Sequence, residues 1–127
     1  MLKENISKMS DEHTGWVKAL DFYKQELDIM KNRLTEIAGK NTTHEVAKDV
    51  EHFENQVKLH TENIDNLHHA INSNISKVAT QLKENNAGYI NTELLTTHDG
   101  QKDQFISLEK VINELRHDFN LFAAKWM

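Results

Sequence analysis

Along residues 42–85, apolar side chains recur at Val46, Val50, Phe53, Val57, Ile64, Leu67, Ile71 and Val78, four and three apart where the pattern is tight. That alternation is the seam of a helix packed on other helices, and it predicts one long central helix. A helix with a single apolar stripe gains its stability from neighbours that cover the stripe. Both flanking segments carry the same alternation. Upstream it runs His13, Trp16, Leu20, Tyr23, Leu27, Met30, Leu34, Ile37, with Ile6 and Met9 extending it backward. Downstream it runs Leu94, His98, Phe105, Leu108, Ile112, Leu115, Phe119, Phe122, Trp126. Three such stripes predict an all-α fold: an elongated antiparallel three-helix bundle, up-down-up, with coiled-coil-like packing.

Start and stop signals divide the chain into one helical domain over residues 1–127, with helices at about 4–38, 43–85 and 92–125. Ser10 reads as an N-cap followed by the acidic Asp11 and Glu12. Gly39 is placed to end the first helix. Thr42 and Glu45 have capping-box spacing for the second. A turn centred near residue 40 sets residues side by side when their numbers sum to about 81, so Leu27 faces Phe53 and Trp16 faces Ile64. The central helix has a weak zone. Asn72, Ser73, Asn74 and Ser76 are poor interior helix formers, and Ile71, Ile75, Val78 and Leu82 read as a stutter. A kink or break is expected near 72–76. A second loop is expected over 86–90, with Asn91 or Thr92 capping the third helix.

Composition supports helices and narrows the chemistry. Proline is absent and glycine occurs four times in 127 residues, too few for a strand-and-turn fold. Hydrophobic residues are only 38%, short for a compact globule but enough for narrow seams. The net charge is −5 and no basic cluster stands out, so a nucleic-acid partner is not expected. No apolar run approaches the ~20 residues of a membrane span, and the start lacks a signal-peptide core. Without cysteine there are no disulfides or thiolate metal sites. A cytoplasmic protein is the expectation.

Eight histidines form the compositional oddity. Hemerythrin- and ferritin-like bundles hold metals with inward histidines and carboxylates, and Glu114/His117, Asp65/His68 and Asp49/His52 have the three-residue spacing of such pairs. If Val50, Phe53, Ile112 and Leu115 face inward, His52, Glu114 and His117 face out. His44, His52, His60 and His68 repeat every eight residues, which winds them ~80° per step around a helix. A surface metal site at His13, Asp65, His68 and His69 remains the alternative. His13, His60 and His98 occupy seam positions. The register above sets His13 beside Leu67, and the second hairpin sets His98 beside Val78, in separate layers, each bonded across the bundle or wetted.

No phosphate loop, nucleophile triad or His-Glu-x-x-His motif occurs, so neither an enzyme nor a cofactor is expected. The aromatic residues lie on seams and read as core. Phe53, Phe119, Phe122 and Trp126 should tighten the half near residue 40. The half carrying His13, Asn74, His98 and Gln101 should be looser. Phe22, Ile29, Leu59 and Leu121 fall beside the stripes, where they either widen the core or form an interface. The outline, with Trp16 and Trp126 in the outer helices, is similar to spectrin-type repeats in architecture, a likeness that carries no function. The expected role is a non-enzymatic protein-interaction or scaffold module, binding a protein partner or a second copy of itself. The competing role is a metal-binding bundle.

Overall fold

The computed structural model describes residues 2–84 and 92–126, without the side chains of 2–6, 81, 82, 84 and 92. It contains three α-helices: α1 (Leu2–Lys40), α2 (His44–Glu84) and α3 (Thr92–Trp126). Apart from residues 41–43, every described residue is helical. Cross-helix contacts fix the directions. Asp21 meets His68 and Lys24 meets Asp65, so α1 and α2 are antiparallel. Glu45 meets Lys125 and Ala70 meets Gln101, so α2 and α3 are antiparallel as well. Contacts between α1 and α3 keep a nearly constant separation of 85 to 90 residues, the mark of parallel helices. The up-down-up bundle is the observed fold. None of its described helices is long and apolar enough to cross a membrane.

The stripes become the core. Leu20, Leu27, Leu34, Ile37, Val46, Ile64, Ile71 and Ile112 are essentially sealed from solvent. Each large aliphatic side chain buried this way contributes about 1.5–3 kcal/mol. Near residues 41–43 the Phe53 ring packs against Phe119 and Phe122, at centroid distances of 5.9 and 5.0 Å. Midway along, Arg116 of α3 grips Glu26 of α1 through both carboxylate oxygens. That fork geometry adds direction as well as charge attraction.

Several terminal signals act differently from their sequence reading. Ser10 is not an N-cap. α1 begins upstream of it, and the Ser10 carbonyl accepts a bond from the Thr14 hydroxyl inside the helix. Gly39 does not stop α1, which continues through Lys40. The end is closed by Asn41, whose backbone N–H and side-chain amide both donate to the Ile37 carbonyl, at 3.0 and 3.1 Å. The same amide reaches the Trp126 carbonyl at 3.4 Å, tying the connection to the end of α3. The first bond of α2 runs from Ala47 N–H to the Thr43 carbonyl, which places Thr43, not Thr42, at the N-cap. Glu45 turns instead toward Lys125.

The break expected at 72–76 does not occur, because α2 is helical without interruption. Nor does the seam stutter. It passes Leu67, Ile71, Asn74 and Val78, all buried, and leaves Ile75 at the surface with 36% exposure. The helix keeps its register by accepting a polar residue inside. Asn72, Ser73 and Ser76 face solvent, where their side chains do not disturb the packing. The loop expected over 86–90 and the Asn91 cap lie outside the described residues, as does the side chain of Leu82.

Candidate functional site

Beyond Leu67 on α2, polar side chains replace apolar ones in all three seams. His13 of α1, Asn74 of α2, and His98 and Gln101 of α3 are each at most 6% exposed. Continuous four-three spacing forces this placement. Asn74 falls between Ile71 and Val78, and Gln101 between His98 and Phe105. A polar group buried without a partner costs about 1–3 kcal/mol, so their bonding decides what the layer contributes.

The two histidines meet. Nδ1 of His98 and Nε2 of His13 are 2.9 Å apart, with ring centroids 4.7 Å apart. The separate layers expected from the sequence are therefore wrong for this pair. The connection between α1 and α2 is centred beyond residue 40, and the observed pairs Asp21/His68 and Lys24/Asp65 sum well above 81. The second register shifts too: Ala70/Gln101 and Glu45/Lys125 sum to less than the His98/Val78 pairing requires, so the two shifts together bring His13 and His98 to one level. Trp16 completes the cluster. It stacks on His98 at 4.8 Å, meets His13 edge-on at 5.6 Å, and stacks on Phe105 at 6.0 Å.

Among the described residues, one carboxylate reaches the two histidines. Glu12 Oε1 lies 3.6 Å from His98 Nε2, and its other oxygen is 4.0 Å from the Lys102 ammonium. Burial, and next the neighbouring His98, push the His13 imidazole down to about 4, while Glu12 opposes them. On the α2 side, the Gln101 amide donates to the Ala70 carbonyl at 3.1 Å. Gln101 Oε1 and both amide atoms of Asn74 have no hydrogen-bond partner. A groove between α2 and α3 runs past them, lined also by Ser73, Lys77 and Thr97. A second groove, between α1 and α2, is lined by Asp21, Lys24, Asp28, Lys31, Glu54 and Lys58, a mixture of both charge signs.

The residues of the alternative metal site are not brought together. His13 is in the core against His98. Asp65 pairs with Lys24 at 2.7 Å, and His68 lies between Asp21 and Asn72. His69 is exposed beside the α2–α3 groove. His52, Glu114 and His117 are exposed, and His60 sits alone in the seam, 8% exposed with Nδ1 unpartnered. Among the described residues, no three His, Asp or Glu side chains are arranged to hold a metal ion.

The four residues beside the stripes do not widen the core. Phe22, Ile29, Leu59 and Leu121 are 56%, 55%, 48% and 63% exposed, and Ile106, which the sequence did not single out, is 52% exposed. Phe22 and Ile29 flank Glu26, the residue that reaches Arg116 on α3. Ile106 lies between Lys102 and Glu109, which approach Glu12 and Tyr23 on α1. These three therefore border the outer boundary of α1 and α3. Leu121 lies on the outer face of α3, one turn before Lys125.

No protein-family profile, curated protein or solved structure matches this chain.

Proposed function

We propose that this chain is a non-enzymatic protein-interaction module that docks a protein partner, or a second copy of itself, along the outer boundary of α1 and α3. The observation that carries the reading is the group of exposed large apolar side chains there, Phe22, Ile29 and Ile106, on a bundle whose core is completed by other residues. Apolar side chains grouped in this way gain from being covered, and aromatic residues dominate the energetics of such contacts. The net charge of −5 supports a protein partner over a nucleic acid. A cytoplasmic location belongs to the same proposal.

The test compares the wild type with Phe22→Glu and Ile106→Glu. Light scattering over a concentration series reads self-association, and cross-linking in the source cell reads a heterologous partner. One of the two should show a complex with the wild type that both variants lose. A wild type that stays monomeric and cross-links to the same proteins as both variants would overturn the reading.

A further inference from the structure

The His13–His98 contact has a limited capacity for protons. When both rings are neutral, one hydrogen lies between His13 Nε2 and His98 Nδ1, and one ring donates while the other accepts. One added proton is also accommodated. A charged ring donates to its neutral neighbour, and His98 Nε2 faces the Glu12 carboxylate. A second added proton leaves no acceptor. Every ring nitrogen then carries hydrogen, and two N–H groups point at each other across 2.9 Å. The two positive rings would be 4.7 Å apart inside a layer sealed from solvent.

The surrounding charges offer little relief. Among the described residues of α1 the layer receives Glu12 alone, and Lys102 of α3 already shares that carboxylate. From α2 the seam contributes uncharged Asn74, while the adjoining groove beside Gln101 is lined by Lys77 and His69 of α2 and by Glu93 of α3, and so adds no net negative charge. Like charges in a poorly solvated site repel strongly, so the contact must separate.

We propose that the His13–His98 contact is an acid-operated latch: it closes the polar end of the bundle with no or one added proton, and the second proton releases α1 from α3 there. The half beyond the latch is held by different bonds. The Phe53, Phe119 and Phe122 rings and the Arg116–Glu26 fork sit on the far side of Tyr23. Release is therefore confined to one end, and it uncovers Trp16, Phe105 and Met9. The depressed basicity of His13 agrees with a latch that stays shut near neutrality.

The experiment uses the full chain. Imidazole nitrogen resonances of His13 and His98 are followed from pH 7.5 to 3.5, beside amide hydrogen exchange corrected for its intrinsic pH dependence. Protection over residues 9–20 and 94–105 should fall about tenfold or more as the second ring charges. Protection over 27–37 and 112–122 should hold through that step. The double variant His13→Phe/His98→Phe should lack the step. A uniform loss along all three helices would overturn the latch. So would a loss at one end that does not track the second protonation, or one that persists in the double variant. The wild-type comparison decides the question even where that variant fails to fold.

Discussion

The Tyr23 hydroxyl donates a 2.6 Å hydrogen bond to the Glu109 carboxylate, joining α1 to α3 at mid-length. Burial first, and then the bond and charge of Glu109, push the phenol up from 10.0 to about 12. The unfolded chain ionises near the lower value and the folded chain resists until the higher one. This contribution to stability is therefore complete below pH 10 and disappears as pH rises toward 12. Tyr23→Phe should cost about 1–3 kcal/mol at neutral pH, because a bond to a charged acceptor is lost and Glu109 is left half-buried without it. Urea unfolding measures the loss. The same variant should show a smaller fall in stability between pH 9 and 11 than the wild type.

His60 should behave in the opposite sense. It is 8% exposed, Nδ1 has no partner, and burial pushes its pKa below the ordinary imidazole value of 6.5. The unfolded state therefore binds a proton more readily, and stability falls as pH drops below that value. His60→Leu removes both the unpaired nitrogen and this linkage. It should stabilise the chain by about 1–2 kcal/mol at pH 7 and by more at pH 5, a difference denaturant titration at the two pH values would resolve.

Asn74→Leu tests whether the polar layer is a cost that the fold carries. Both amide atoms are sealed and unpartnered, so a side chain of similar size and no polar atoms should raise the unfolding free energy by about 1–3 kcal/mol. Polar seam residues also disfavour wrong registers in helical bundles. The variant should therefore populate additional oligomers, visible by analytical ultracentrifugation.

Gly15 and Gly100 lie inside helices, and a Cβ at either would meet no atom within 4 Å. Alanine there adds no clash and reduces the freedom of the unfolded backbone. Each substitution should stabilise by up to ~1 kcal/mol, and thermal melts of the single variants would show the midpoint rising.

The stripes made the fold legible. Leu20, Leu27 and Leu34, seven residues apart, are sealed in the core as their spacing requires. The relative level of the helices was less legible because it depends on a few atoms at one turn. Asn41 supplies the closure expected of Gly39, and Thr43 supplies the cap expected of Thr42. Those displacements move His13 along α2, and the changed α2–α3 register at Ala70/Gln101 moves His98 to meet it. The polar layer left a different signal. Strict spacing demanded seam residues at 74 and 101; the sequence reading assigned both to the looser half but ran the stripes through Ile75 and straight from His98 to Phe105. Exposure of Phe22 and Ile29 was not decidable from one helix, since it depends on how closely α3 approaches.

The two tryptophans sit at opposite ends of the bundle. Trp16 stacks on His98 in the polar layer, while the Trp126 carbonyl accepts from Asn41 beside the first connection and its ring lies under the Lys125 ammonium. Twenty-four residues of α1, from Trp16 to Lys40, separate those levels, about 36 Å at the helical rise. The chain thus carries a separate native fluorophore for each end. An imidazolium against the indole quenches only the first, and fraying at the connection changes only the second. Replacing one tryptophan at a time by phenylalanine would turn the ordinary emission spectrum into an independent clock for each end of the molecule.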